Sequence, residues 1–381
     1  MKYRVLIITE IIAPYRIPVF NALAKRDGIE LHVVFLAETD PALREWCIYK
    51  EEIQFSYEVL CSWRKQILGY HVLLNKGLWT SLTKWTPDVV ICGGYNYLAS
   101  WEANLWAKGH YVPFVLWCES NANDKRGNHF LVESLKRIFL KRCKYFVVPG
   151  KASFEYLGLL GVPTHIITIA PNAVDIKLFT SKAREARGQA EAVRNGLGLP
   201  KRFFLYVGRL LREKGVFDLI EAYEKLEERL RSEIGLVVVG NGPAKPKLLE
   251  RTASIKTGRI QFHGFVERDN LPKYYGLAEA LIFPTLSDPW GLVVNEAMAC
   301  SLPIIASSVA GCIPDLVVDP WNGYAVAPGD IERMTWAMSN LANQPELAKK
   351  MGANSFEHIL SYSPEACAHG LGVAIIKAKE C

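Results

Sequence analysis

Two carboxylates, Asp288 and Glu296, are separated by seven residues in the run Pro284-Thr-Leu-Ser-Asp-Pro-Trp-Gly-Leu-Val-Val-Asn-Glu-Ala-Met-Ala-Cys300. The apolar stretch 280–283 before them reads as a buried strand. Ser287 or Asp288 is a helix start signal, and Gly291 permits close approach of backbone to a ligand. A helix opening near Leu292 and Val293 aims free N–H groups and the positive end of its dipole into the crevice above that strand. An anion carrying hydroxyl groups suits the arrangement, because amides take the anion and carboxylates take hydroxyl hydrogens. An N-capping Asp and a solvated helix-surface Glu account for the same residues, and on this run alone the two readings stand level.

Three more loops bear polar chemistry at strand ends. Gly208-Arg209-Leu-Leu-Arg212-Glu213-Lys214-Gly215-Val216 follows an apolar stretch at 203–207. Arg209 offers a planar fork and Lys214 a point charge, both suited to phosphate. A surface ion pair with Glu213, worth about 0–1 kcal/mol, is the plain alternative. Val239-Gly240-Asn-Gly-Pro243 is a strand and glycine turn without the third glycine of the dinucleotide fingerprint Gly-x-Gly-x-x-Gly. At 260–266, Gly264 keeps the approach clear, and Phe265 beside Val266 either stacks on a nucleobase or is buried. Each loop alone carries little. In order, they supply cations, a glycine turn, an aromatic platform, and paired acids at a helix start, the makings of a nucleotide-diphosphate-sugar site.

The elements that must position these loops read as strand-like runs alternating with helix-length segments. The runs fall at 5–9, 31–36, 89–92, 114–118 and 146–149, then at 203–207, 236–239, 280–283 and 303–306. Continuous apolar strands with intervening helices predict parallel sheets covered on both faces. Ligands of such sheets bind at the carboxyl ends of strands. A length of 381 residues predicts two domains. The boundary falls at 171–202, a linker that is polar, alanine-rich and arginine-rich. It separates an α/β domain at 1–170 from another at 203–360, with the crevice between them as the natural active site and a last helix over 361–381.

Composition narrows the class. With 50% hydrophobic and 22% charged residues the chain is a folded protein, which excludes a disordered one. No apolar run reaches the roughly 18–20 residues that span a bilayer. The start, Met-Lys-Tyr-Arg-Val-Leu-Ile-Ile-Thr-Glu, breaks its apolar run too early for a secretory signal and reads as a first strand. Nine cysteines without a Cys-x-x-Cys pair predict reduced thiols in a cytosolic protein and argue against cysteine ligation of metal. There is no Asp-x-Asp triplet, so no metal is expected. The net charge of +6 is modest, but 134–145 forms an expected basic helix. Leu135, Ile138, Phe139 and Arg142 share one face there, with Lys136, Arg137, Lys141 and Lys144 over the remainder. Such a helix gains about 1 kcal/mol per cation at an anionic membrane surface, or packs on a sheet as an ordinary solvated helix. No nucleic-acid-binding module is present.

This ordered set resembles the retaining glycosyltransferases of family 4, which have the GT-B fold of two Rossmann-like parallel-sheet domains facing a central cleft. The resemblance covers nearly the whole chain. It runs from Ala13-Pro-Tyr-Arg-Ile-Pro-Val-Phe-Asn-Ala-Leu23 through Pro171-Asn-Ala-Val-Asp175 and the Gly208-Arg209 loop to the acid pair, continuing at Gly311 and Asn322-Gly323. The stretch 284–306 is the most specific portion. By this resemblance, Arg209 and Lys214 hold the donor diphosphate, with Gly208 and Gly240 among the donor-binding residues. Phe265 and Val266 lie at the base, Glu296 binds the ribose hydroxyls and Asp288 contacts the transferred sugar. The backbone of Gly291, Leu292 and Val293 meets sugar or phosphate. A metal-independent transfer without cofactor is expected, with uridine slightly preferred over guanosine in the donor, and a saccharide or, if the basic helix meets a membrane, a lipid-linked acceptor. The protein is expected in the cytoplasm, peripheral on the inner face of the membrane, with its last helix crossing back to the first domain.

Departures from the family pattern are informative. The first acid is usually Glu, and Asp288 reaches about 1.5 Å less; a misplacement of about 1 Å can cost roughly a hundredfold in rate. Ser301 stands where a glycine is common, and Pro14-Tyr15-Arg16 replaces a glycine pair in the N-terminal loop. In Leu116-Trp-Cys-Glu-Ser120 many relatives end the strand in a histidine, and Glu119 takes that place as catalytic helper. Three alternatives share some of these residues: a nucleotide-sugar epimerase of this architecture, a non-catalytic nucleotide-sugar-binding scaffold, and a retaining glycosidase using Asp288 and Glu296. The last leaves the cation loop and Phe265 without a role.

Overall fold

A computed structural model of the protein describes residues 2–40, 45–67, 70–123, 130–253, 255 and 257–380. The chain divides into two units, Met1–Ala173 with Pro364–Cys381, and Val174–Ser363.

The strands of the first unit are β1 (Tyr3–Thr9), β2 (Ile29–Phe35), β3 (Ser56–Val59), β4 (Cys61–Ile67), β5 (Tyr70–Lys76), β6 (Val89–Gly93), β7 (Phe114–Trp117), β8 (Tyr145–Val148) and β9 (Ile167–Ile169). All but β4 and β5 form one parallel sheet in the order β3-β2-β1-β6-β7-β8-β9, and β4 pairs with β5 as a separate antiparallel ribbon. The run Val5-Leu-Ile-Ile8 shows why an unbroken apolar stretch becomes such a strand. Val5 and Ile7 point into one buried cluster with Phe20, Trp117 and Leu371, while Leu6 and Ile8 point into another with Leu82, Trp106 and Phe139. Both faces are dry, so alternation with polar residues would be costly.

The second unit repeats the plan with β10 (Phe203–Val207), β11 (Gly235–Val239), β12 (Ile260–Gly264), β13 (Ala280–Phe283), β14 (Ile304–Ser307) and β15 (Gly323–Val326), in the order β12-β11-β10-β13-β14-β15. Phe203, Leu205 and Val207 of β10 face one cluster, Phe204 and Tyr206 the other. After β10 the chain moves outward through β11 and β12, then returns to lay β13 on the opposite side of β10. That reversal is a topological switch point, and it sets the loops leaving β10 and β13 side by side. In the first unit β1 lies between β2 and β6 in the same way.

Three expectations need correction. The segment 171–202 is no linker: most of it forms two helices of the second unit, Ile176–Gly188 and Ala190–Leu197. Ile176, Phe179, Ala183 and Ala186 recur at helical spacing and are buried, and the Asp175 carboxylate accepts from the Leu178 amide to start the first of them. The basic helix is shorter than 134–145. It spans Phe130–Leu140, and by Tyr145 the chain has entered β8. Its faces also differ: Leu135 and Ile138 are exposed, whereas Lys136 is buried and donates to the Tyr156 hydroxyl. The β4–β5 ribbon was not foreseen at all.

The last helix, Pro364–Glu380, folds with the first unit. Cys367, Leu371, Ala374, Ile375 and Ala378 supply its buried face. Gly370 lets it press onto β9, since a Cβ there would lie 2.5 Å from the Ile169 carbonyl oxygen. No disulfide joins the described cysteines.

Candidate functional site

The loops after β10 and β13 interlock through glycines. Gly215 has φ +68°, and a Cβ on it would meet the Pro284 carbonyl oxygen at 1.9 Å; Gly240 has φ +132°, and a Cβ there would meet the Gly208 carbonyl oxygen at 1.9 Å. No residue with a side chain fits either place. The close approach lets the Leu286 amide donate to the Glu213 carbonyl at 2.8 Å. It also brings Lys214 to the first acid: Nζ donates to Asp288 Oδ2 at 2.7 Å and to the Ser287 carbonyl at 3.1 Å. The ion pair of Lys214 is therefore with Asp288, not with Glu213.

Asp288 is held at both oxygens. Its Oδ1 accepts from the Trp290 amide at 3.1 Å, an Asx-type turn, and its carbonyl accepts from Gly311 at 3.1 Å. Neither Ser287 nor Asp288 caps the following helix, Leu292–Ala299. The residue before it is Gly291, at φ 100° and without a side-chain cap. The first amides of this helix, at Leu292 and Val293, have no carbonyl one turn earlier in the helix to bond. Trp290 locks the loop to the helix by donating from Nε1 to Asn295 Oδ1 at 2.9 Å, buried.

Glu296 lies one turn into the same helix. The buried Tyr275 hydroxyl donates to its Oε2 at 2.7 Å. Burial pushes the Glu296 carboxyl up to about 7, against the opposing pulls of Tyr275 and the Arg268 charge. Arg209 is exposed just beyond β10, with Gly208 at the turn, and its carbonyl accepts from the Tyr206 hydroxyl at 2.9 Å. Burial, followed by the Asp288 charge, raises the Tyr206 pKa. At the end of β12 the Gly240 amide donates to the Gly264 carbonyl at 2.6 Å. Phe265 beyond it is 37% exposed, while Val266 packs against the unit's core. The second unit thus carries cations, two fixed carboxylates, an exposed aromatic ring and a helix start on neighbouring loops.

Glu119 is placed on the first unit, just past β7. It accepts from the Arg16 guanidinium, which lies 3.9 Å over the Trp117 ring. Burial works against the Arg16 charge, and Glu119 with Tyr15 and Cys367 more than offsets it, leaving the pKa raised. Glu119 is thus a charge-paired hydrogen-bond acceptor. Sequence reasoning missed Arg16 as its partner, and missed Tyr206, Tyr275 and Asn295 as supports of the second unit's loops. Among the described residues no group of three or more His, Cys, Asp or Glu is arranged to hold a metal.

The chain matches known protein families over most of its length. The family model described as "Glycosyl transferases group 1" matches residues 189–358, and that described as "Glycosyltransferase Family 4" matches 20–178. The chain is similar to an alpha-D-kanosaminyltransferase of Streptomyces kanamyceticus, 34% identical over 46% of this chain and 45% of that protein. It is also similar to a D-inositol 3-phosphate glycosyltransferase of Streptomyces bingchenggensis, 32% identical over 80% of this chain and 66% of that protein. The chain spans about half the length of the first curated relatives it matches. Among solved structures, Anabaena HepE in complex with UDP superposes with a TM-score of 0.76 at 16% identity, over 99% of this chain and all (100%) of that one. Sucrose-phosphate synthase from Thermosynechococcus elongatus gives 0.74 at 19% identity, over 99% of both chains. These neighbours share the GT-B fold. The two matched spans include the Gly208–Lys214 loop, the acid pair and the Glu119 strand, and the chain belongs to glycosyltransferase family 4.

Proposed function

We propose that the protein transfers a sugar from a nucleoside diphosphate sugar, with UDP-sugar preferred over GDP-sugar, to a hydroxyl of a saccharide or lipid-linked acceptor, retaining the anomeric configuration. The observation that carries the reading is the Lys214–Asp288 pair at the β10/β13 switch point, beside the open start of the helix Leu292–Ala299. Arg209, Lys214 and the first helix amides stabilise charge as it develops on the departing diphosphate. They act most strongly where that charge is greatest, which lowers the barrier rather than merely tightening binding. The departing phosphate takes up the acceptor proton on the same face, so no protein nucleophile is required. Glu296 accepts from the ribose hydroxyls, Phe265 stacks on the base and Asp288 accepts from a hydroxyl of the transferred sugar. Glu119, held by Arg16, serves as a fixed acceptor for a sugar hydroxyl, unlike the neutral-or-charged histidine of many relatives.

The preference for uridine is supported by the fold neighbour whose structures hold UDP and UDP-glucose. A thermal-shift panel of UDP, GDP, ADP and their sugars tests the donor: UDP and a UDP-sugar should stabilise the protein, and stabilisation by GDP alone would overturn the preference. Transfer should survive EDTA, and restoration of lost activity by magnesium or manganese would refute metal independence. NMR of the product's anomeric proton tests retention. Incubation with donor alone excludes the epimerase reading when the sugar is unchanged. No helix among the described residues is long and apolar enough to cross a membrane. Exposed Leu135 and Ile138, with Arg137, Lys141, Arg142 and Lys144 exposed around them, instead support peripheral docking on an anionic leaflet at the cytoplasmic face. Flotation with liposomes should then depend on anionic lipid, and equal recovery with neutral lipid would remove this part.

A further inference from the structure

The carboxyl edge of the first unit's sheet carries a polar cluster with no role in the chemistry above. Glu10 follows β1, Asp40 comes after β2, Arg64 lies on β4 and Asn75 on β5, and Tyr97 immediately precedes the helix Leu98–Gly109 that follows β6. Because β1 sits between β2 and β6, these residues gather at that sheet's own switch point, where ligands of open parallel sheets bind. Arg64 Nη1 donates to Glu10 Oε1 at 3.4 Å and to Asp40 Oδ2. Asn75 Nδ2 donates to the Leu36 carbonyl, tying the ribbon to the end of β2, and the Tyr97 hydroxyl donates to Glu10.

The bonding of this cluster is incomplete. Asp40 is buried, its side chain 2% exposed, yet its Oδ1 has no hydrogen-bond partner among the described residues. The same holds for Arg64 Nη2 and Asn75 Oδ1. A buried carboxylate oxygen and a buried guanidinium nitrogen are seldom left so, because neither recovers its lost hydration. Glu10, 33% exposed, gives the cluster its opening to solvent.

We propose that Glu10, Asp40 and Arg64 form a subsite for a neutral polyol, the acceptor of the transfer reaction, and this rests on the transfer reading given above. The groups without a partner among the described residues are one donor, Arg64 Nη2, and two acceptors, Asp40 Oδ1 and Asn75 Oδ1, all buried behind Glu10. A hydroxyl both donates and accepts, so it can complete such a set; a phosphate only accepts and an ammonium only donates. Two carboxylates against one guanidinium leave the cluster net negative, which disfavours an anionic acceptor group. The β4–β5 ribbon positions Arg64 over the strand ends, and it is this contribution that makes the subsite specific to a chain carrying the ribbon.

Direct binding to the full chain tests the subsite without the transfer reaction. Saturation-transfer NMR with methyl α-glucoside, methyl α-galactoside and methyl α-mannoside should show at least one saturable ligand, with glucose 6-phosphate at least tenfold weaker. Arg64→Met and Asp40→Asn should each weaken the neutral glycoside tenfold or more. Glu10→Gln, a conservative change at a partly exposed position, should weaken it severalfold and serves if the buried variants fail to fold. The thermal shift produced by UDP should be unchanged in each folded variant. Saturable glycoside binding that ignores all three changes overturns the proposal, as does a preference for glucose 6-phosphate. Absence of any glycoside binding while UDP still binds overturns it too, the cluster then holding water only. Loss of the UDP response in the wild-type protein instead strikes the transfer reading and leaves the glycoside result to stand by itself.

Discussion

Donor affinity should fall with pH through the titration of Glu296. Its carboxyl moves from the ordinary 4.5 to about 7 in the folded protein, chiefly because burial disfavours the charge. That displacement corresponds to about 3 kcal/mol, and its sign follows from linkage. Between pH 4.5 and 7 the folded protein holds a proton that the unfolded chain releases, so the contribution favours folding at low pH. It is lost progressively as pH rises through 7. On the transfer reading, the site keeps its carboxylate at a standing cost that a bound ribose would offset by donating hydroxyl hydrogens to it. If only the ionised form takes the ribose, the ionised fraction falls from about nine-tenths at pH 8 to about one-tenth at pH 6, and affinity falls about tenfold. UDP-glucose is the proper ligand, because its diphosphate diester does not titrate in this window. Calorimetry at pH 6, 7 and 8, in two buffers of different ionisation enthalpy, should show this loss and release of about half a proton at pH 7. Glu296→Gln should bind weakly at every pH and be more stable than wild type at pH 8, by up to about 3 kcal/mol. A wild-type affinity that is flat from pH 6 to 8 refutes the assignment of Glu296 to the ribose.

Arg209→Ala should lower turnover by roughly a hundredfold while leaving the melting temperature nearly unchanged, since the side chain is exposed. Lys214→Ala should lower turnover and also destabilise by about 1–3 kcal/mol, because it removes the cation paired with Asp288 Oδ2 at a largely buried site; adding Asp288→Ala to it should recover part of that stability in a double-mutant cycle. Ser301 sits at φ 58°, where glycine is at ease, so Ser301→Gly should stabilise the protein by about 0.5–1 kcal/mol in urea denaturation. Gly240→Ala should cost at least about 3 kcal/mol or abolish folding, since its Cβ would collide with the Gly208 carbonyl, and a wild-type melting temperature would contradict that packing.

The sheets were legible because their strands are buried on both faces and so are written as continuous apolar runs, as at Val5–Ile8 and in β10 and β13. The β4–β5 ribbon was not, because Cys61-Ser-Trp-Arg-Lys-Gln-Ile67 is polar, and among its ties to the rest of the unit are single side chains, Arg64 and Asn75, whose partners lie far off in sequence. The helix Ile176–Gly188 hid behind its polar second half, Ser-Lys-Ala-Arg-Glu-Ala-Arg-Gly, while four buried residues at helical spacing set its place. Lys136 shows a different gap. Helical periodicity gives a face, but which face is covered depends on neighbours such as Tyr156, distant in sequence and met only in the fold. For the site, residue types and order were readable from the loops, yet their pairing was not. Lys214 and Asp288 stand 74 positions apart, and it is the reversal of strand order between β12 and β13 that makes them neighbours.

That pairing also gives a physical reason for an aspartate at 288. Its Oδ1 reaches the amide two residues on, an Asx-type turn that fits the short side chain, and its Oδ2 simultaneously takes Lys214. A glutamate, about 1.5 Å longer, would carry the carboxylate away from one of these partners. The shorter acid is therefore matched to the local backbone, and the loop rather than the side chain sets how far the carboxylate projects. Because Gly311 donates to the Asp288 carbonyl and Cys312 to that of Trp290, the loop itself is tied to the segment after β14. A carboxylate oxygen carries two lone pairs and so can accept more than one hydrogen. A sugar hydroxyl can thus bind Asp288 without breaking the Lys214 pair. On the transfer reading, Lys214 would meet an arriving diphosphate while already paired with Asp288, and Arg209, exposed on the same loop, would share the phosphate's charge with it.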